Sequence, residues 1–292
     1  MRSKLQNFFL LKPYFNSMRY PAVAGKFYPA DRSALEDSIL GCFQHRLGPG
    51  MFGDSEGKRS IRGALVPHAG YSCSGMNAAH VYKQIAEDGL PDTYIIIGPD
   101  HYGIPFDAAL CDESYLTPLG ECKVDLEIID RLSEDIPVVA GAHRFEHSIE
   151  VEVPFIQYID PDPKIVPLIM SDQSMGAAKR IGRSIREACK DKDVIVIASS
   201  DMSHYVPKHV ATANDHALID RICSSDIDGI YAVIRSGVSA CGYGPISAMI
   251  EAIHPTNGRL LCYSDSFDAL DYQKEAVVGY ASAIFDRSLS SR

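Results

Sequence analysis

The 292-residue sequence has no tryptophan, no CxxC pair, no basic excess and no long apolar run. The missing tryptophan carries no structural conclusion. The other absences exclude more. Eight cysteines, at 42, 73, 111, 122, 189, 223, 241 and 262, are scattered singly, which rules out the spacing of a zinc ribbon or a thioredoxin-like motif. A chain this long can build a substantial core and needs no disulfide framework, so reduced thiols in the cytoplasm are expected. A formal charge of −10 argues against a nucleic-acid backbone as the main partner. No apolar run reaches the roughly 18 residues that span a bilayer, so no membrane partner is expected. The apolar piece at 8–11 is shorter than a signal-peptide core of about 7–15 residues, and Lys12 and Pro13 interrupt it.

What is present is the composition of a soluble globular protein, 46% hydrophobic and 23% charged. Met18 opens "MRYPAVAGKFYP", which reads as a natural beginning. Residues 1–17 are therefore expected to be an extension, either disordered or added by an upstream start, and 18–292 a single α/β domain. A helix at 33–46 places Leu35, Ile39, Leu40 and Phe43 on one face, and a polar loop at 51–60 follows it. Further helical patterns cover 76–87, 126–132, 151–158, 177–190, 209–222 and 227–234, with a short helix after Pro245. Strands are expected at 93–97, in "KIVPLIM", and at 194–198, 259–263 and 276–284. A β-rich excursion at 107–124 turns at Pro118-Leu119-Gly120. Strands that are apolar throughout and alternate with helices predict a three-layer α/β/α sandwich with a mostly parallel central sheet. Antiparallel strands are expected at one edge.

Three stretches share one design: "ALVPHAGY", "YIIIGPDHYG" and "VIVIASSDMSHY". In each, a strand-like run stops and a histidine follows. Ligands of open α/β sheets lie beyond the carboxyl ends of the strands, where these loops converge. His68 and His101 could each serve only to hydrogen-bond a nearby carbonyl, but the repetition favours function. Asp201, close to His204, could orient its imidazole. A helix cap would account for Asp201 or Ser203 and leave His204 unexplained. Cys241 in "SACGYGPI" sits in a glycine-flanked loop before a helix, as a nucleophile or metal ligand, or as a small apolar filler. In "HRFEHSIE", His147 with Glu146 and Glu150 could form a pocket wall, or the acids could face a helix dipole. Tyr71, Tyr102, Tyr205 and Tyr243 follow the candidate residues closely and would suit an aromatic wall for substrate. With fifteen tyrosines, some of that clustering is expected by chance.

Taken in order, "AGKFYPAD", "PHAGYSCSG", "GPDHYG", "EHSIEVEVPF", "SSDMSHY" and "CGYGPI" resemble the Memo family, from about Tyr20 to the C-terminus. That family is similar in fold to the LigB-type class III extradiol dioxygenases, which hold non-heme iron through two histidines and a glutamate. The resemblance implies a LigB-like fold with His68, His101 and Cys241 as metal ligands, the cysteine replacing the carboxylate. It also implies His204 as a further pocket histidine, accompanied by Asp201. A thiolate softens the site toward copper, zinc or thiolate-ligated iron. The expected cofactor is iron or copper, with zinc as the alternative. The expected function is a metal-dependent oxidoreductase of dioxygenase type, with His204, Asp201 and His147 as its catalytic groups. Two alternatives stand beside it: a non-catalytic module holding a peptide or phospho-ligand in the same pocket, and a metal-dependent hydrolase. Eukaryotic members are described as phosphopeptide-binding and copper-binding proteins. Microbial members are often encoded beside a radical-SAM protein, which implies a functional partner.

Overall fold

The computed structural model describes residues 18–55 and 57–287, so the expected extension at 1–17 lies outside the described residues. The first half of the chain runs β1 (Met18–Arg19), α1 (Arg32–Gln44), β2 (Ile61–Val66), α2 (Met76–Asp88) and β3 (Thr93–Pro99). Next come β4 (Ala108–Leu110), β5 (Ser114–Thr117), β6 (Gly120–Val124), α3 (Leu126–Leu132) and α4 (Val153–Ile159). The second half begins with β7 (Lys164–Met170), α5 (Met175–Ala188), β8 (Val194–Ser199), β9 (His204–Val206) and α6 (Lys208–Cys223). It ends with α7 (Ile227–Arg235), α8 (Tyr243–Ile253), β10 (Pro255–Asp265), α9 (Ser266–Leu270) and β11 (Val277–Arg287).

Side-chain oxygens start several of these helices: Asp31 accepts from Ala34 N–H, Asp125 from Ile128 N–H and Ser174 from Ala177 N–H. Eleven strands form one sheet, whose main path runs β1-β5-β6-β7-β3-β8-β2-β11-β10. Its centre, β6 to β2, is parallel. Antiparallel pairs occur at both ends, β5 with β6 on one side and β2, β11 and β10 on the other. The sheet is therefore mixed, and its antiparallel character is not confined to one edge.

Alternation along β3 explains the three layers. Ile95 and Ile97 point into a core shared with Ile181 and Ile185 of α5 and Ile246 of α8. Tyr94 and Ile96 point the other way, toward Leu35 of α1, Tyr82 of α2 and Phe155 of α4. Every residue of β3 is buried, as a strand covered on both faces must be. No helix among the described residues is long and apolar enough to cross a membrane.

Two local departures matter for the site. The stretch after β8 forms the short strand β9, paired with β11, before α6 begins. The helix expected after Pro245 begins two residues earlier, at Tyr243, with Pro245 inside its first turn, where a missing N–H costs nothing.

Candidate metal centre

Strand order brings the three quoted loops together. β8 lies between β3 and β2, and Val66 pairs with Ser199. His68 leaves the end of β2, His101 the end of β3, and Ser200-Asp201 the end of β8. Cys241 arrives from the segment that starts α8. Ligand atoms of His68, His101 and Cys241 all lie within 4.8 Å of one another. Cys241 Sγ is 3.2 Å from His68 Nε2, and the two imidazoles meet nearly edge-on, 5.3 Å between centroids.

The rings are oriented from behind. Ser199 Oγ donates to the Ser148 carbonyl at 2.7 Å, which commits its only proton. The 2.7 Å contact between Ser199 Oγ and His68 Nδ1 is therefore donated by the imidazole, leaving Nε2 bare toward Cys241. Burial, with His147 and His101 close by, keeps His68 far below its ordinary pKa and so neutral. His101 Nδ1 lies 2.9 Å from Glu146 Oε1. Burial opposes a charge on Glu146, yet the bond and charge of His101 and the backbone N–H groups hold it at about 2. Burial likewise opposes a charge on His101, but Glu146 outweighs it and raises that pKa. His204 Nδ1 sits 2.8 Å from the Met202 carbonyl, which again leaves Nε2 free. An imidazole with Nδ1 tied to an oxygen and Nε2 exposed is how proteins present histidine to a metal.

His101, Glu146 and His147 also place ligand atoms within 4.8 Å of one another. Glu146 already accepts from His101 Nδ1 and from the backbone N–H groups of His101, His147 and Ser148. Three of these bonds end on Oε1, so that oxygen orients His101, which is shared between the two groups.

Cys241 is held as firmly. Its N–H donates to the Asp201 carbonyl at 3.2 Å, and Asp201 N–H donates to Sγ at 3.1 Å. Gln173, just beyond β7, donates from Nε2 to the Cys241 carbonyl and accepts from Gly244 N–H. Gly242 is required here, because a Cβ would stand 2.4 Å from the Ser199 carbonyl oxygen. Burial, with Asp201 adding to it, pushes the thiol up, so an ion must displace its proton. A neutral His68 with a bare Nε2, a His101 whose Nε2 an ion can claim, and one displaceable thiol proton fit a metal of intermediate to soft character.

With this geometry in view, the family model described as Memo-like protein matches residues 19–284. The chain belongs to the Memo-like family. A MEMO1 family protein of Methanothermobacter thermautotrophicus is 40% identical, over 90% of this chain and 99% of its own. A second, from Methanopyrus kandleri, is also 40% identical, over 92% and 99%. A crystal structure of an uncharacterised protein from Escherichia coli K12 superposes with a TM-score of 0.53. It covers 77% of this chain and 99% of that one at 11% identity, which shows a shared fold only.

Other predicted residues of this Memo-like chain fall in varied places. His147 stacks on His101 at 4.5 Å between centroids and meets His68 edge-on at 5.5 Å. Asp201 does not hold His204. Its Oδ1 accepts from His68 N–H at 2.8 Å, so it fixes the backbone of a ligand candidate instead. Burial lifts its pKa to about 7 against the backbone N–H groups of His68 and Ala69. Tyr71 is not a pocket wall: its ring is buried against Tyr28 and Phe155, and its hydroxyl donates to the Val151 carbonyl. Tyr243 packs edge-on against Tyr231 at the start of α8. Tyr102 and Tyr205 are 60% and 76% exposed and can meet a ligand from solvent. Glu150 is buried, pairing with Arg19 and accepting from Ala22 N–H, Val23 N–H and Tyr28 hydroxyl. A cavity of about 530 Å³ lined by Phe106, Ile136, Arg180 and Ile181 contains none of these site residues.

Sequence reasoning missed Gln173, Glu152 and the part played by Ser199. No local pattern marks Gln173, whose two bonds are made to residues far along the chain.

Proposed function

We propose that this Memo-like protein binds one redox metal ion, iron or copper, through His68, His101 and Cys241, and acts as an oxidoreductase on a small ligand. The carrying observation is the convergence of two imidazole nitrogens and a thiol within 4.8 Å, each held by bonds from behind. When bound, iron or copper supplies one-electron exchange and Lewis acidity. The chain's own residues do the rest. Cys241 gives up its proton, and Asp201 N–H donates to the resulting thiolate. A divalent ion with one thiolate leaves a single net positive charge, which favours an anionic ligand. His204, its Nδ1 tied to Met202, has Nε2 free to hold or deliver a proton beside that ligand. His147 stacks over His101 and excludes water from that side. All eight cysteines are free, which supports a reducing, cytoplasmic setting.

A second reading, a binding module without turnover, draws on the exposed rings of Tyr102 and Phe145, 6.3 Å apart, and of Tyr205. Metal content after anaerobic purification decides between them. Wild type, His68→Ala and Cys241→Ser are each reconstituted with Fe(II), Cu(I) and Zn(II). The metal reading expects near-stoichiometric binding in wild type and loss in both variants. Equal binding in all three proteins removes it in favour of the binding module. Preference for Zn(II) alone turns the chemistry from redox to hydrolytic.

A further inference from the structure

Behind His68 lies a buried acid that the proposed function does not use. Glu152 follows the "EHSIE" loop just before α4 and is almost wholly buried. The Tyr82 hydroxyl donates to its Oε2 at 2.6 Å, and its Oε1 lies 3.3 Å from Ser199 Oγ. The titratable groups around it are Tyr82 on α2, Tyr71 and His68 on the loop after β2, and Asp201 after β8. No cation among them balances a charge on Glu152, and Asp201 would oppose one.

Counting protons settles the direction of these bonds. Ser199 Oγ has one proton and two lone pairs. The Ser148 carbonyl can only accept, so the proton goes there. His68 Nδ1, at 2.7 Å, must then donate to Ser199, and the 3.3 Å contact with Glu152 Oε1 is a hydrogen bond only if Glu152 is the donor. Glu152 can donate only as an un-ionised acid. As a carboxylate it would face the serine lone pair with no proton between them, and a buried charge would stand uncompensated.

We propose that Glu152 is a neutral carboxylic acid that donates its proton to Ser199 and thereby, through Ser199, locks His68 with Nδ1 protonated and Nε2 bare. It is a positioning residue for the site and touches neither metal nor ligand. Burial outweighs the Tyr82 bond and raises its pKa to about 8, in agreement with the proton count. The ionised alternative would leave Ser199 free to turn toward Glu152 and abandon Ser148.

The inference about His68 rests on the metal reading; the protonation of Glu152 does not. Infrared difference spectra of wild type minus Glu152→Gln at neutral pH test the protonation directly. The expected result is the carbonyl stretch of an un-ionised carboxyl group, lost as the pH is raised through the alkaline range. Carboxylate bands in its place overturn the proposal. Zn(II) affinity then tests the positioning role. Glu152→Met removes the donor and is expected to weaken binding roughly ten-fold or more. Glu152→Gln, whose amide can donate to Ser199 and accept from Tyr82, is expected to restore it. Equal weakening in both variants overturns the role as a neutral donor. If wild type itself binds no Zn(II), Fe(II) or Cu(I), the metal reading fails while the infrared result still decides the state of Glu152.

Discussion

Glu146 shows how one buried side chain can fix a site it does not enter. Its carboxylate gathers four N–H donors, two of them from His101, so ring and backbone of that residue are set together. Glu146→Gln replaces an acceptor of charge by an amide whose NH₂ faces those donors. Metal affinity is expected to fall about 10–100-fold, as for other partners of metal-bound histidines. Titration calorimetry with Zn(II) measures it, and an affinity within two-fold of wild type, taken as roughly no change, would contradict the orienting role. His143 is the contrasting case, a histidine with no place in the site. Its Nδ1 meets the Tyr115 hydroxyl and its Nε2 the Ala109 carbonyl, so it is neutral by construction. Burial, with the Arg19 charge adding to it, drops its pKa to about 4. The unfolded chain takes up a proton near the ordinary value of about 6.5, and the folded chain does not until the pH is far lower. Above both values this group contributes no pH dependence; as pH falls from the unfolded value to the folded one, stability is lost. Compared with His143→Gln, wild type is expected to lose about 2 kcal/mol more between neutral pH and pH ~5. Urea midpoints read the difference, and parallel pH slopes would remove it.

At the scale of elements, the decisive feature is how the Cys241 segment is pinned onto the loop after β8. Gly242 makes the close approach possible, and Gln173 clamps the far side with both ends of its amide. A methyl group at Gly242 would press on the Ser199 carbonyl and push Sγ away from His68. Gly242→Ala and Gln173→Ala are both expected to weaken metal binding and to make Cys241 react faster with an added alkylating reagent. An unchanged reaction rate in both would mean the segment is held by something else. These pins also mark the limit of reading the chain as sequence. The apolar runs "YIIIGP" and "VIVIAS" announce β3 and β8, and their ends announce where His101 and Asp201 stand, because strand periodicity is local. The hydrogen bonds that turn a histidine near a strand end into an oriented ligand are not local. His68 depends on Ser199, and His204 depends on Met202 rather than on the carboxylate beside it. Tyr71 follows His68 by three residues, and Tyr102 follows His101 directly. A wide helical turn at Tyr71–Gly75 directs the first into the core, while a turn at Asp100 leaves the second in solvent.

At the scale of the molecule, the candidate ligands meet because β8 runs between β3 and β2, although it comes after both in the chain. Three loops separated by long stretches of sequence then share one end of a sheet whose strands are rigidly buried. Folding must be nearly complete before the ligand atoms meet, so an ion that binds them binds only the native state. That coupling has a measurable size. An ion at 100 times its dissociation constant adds about 2.7 kcal/mol of stability, which for a domain of this size raises Tm by roughly 5–10 °C. The shift is expected for wild type with the preferred metal and is expected to vanish in Cys241→Ser. Thermal melts with and without the ion, under anaerobic conditions for Fe(II) and Cu(I), provide the measurement. A shift of the same size in Cys241→Ser would place the ion elsewhere on the chain. No shift in wild type would mean that the three ligand atoms, although close, do not act as one site.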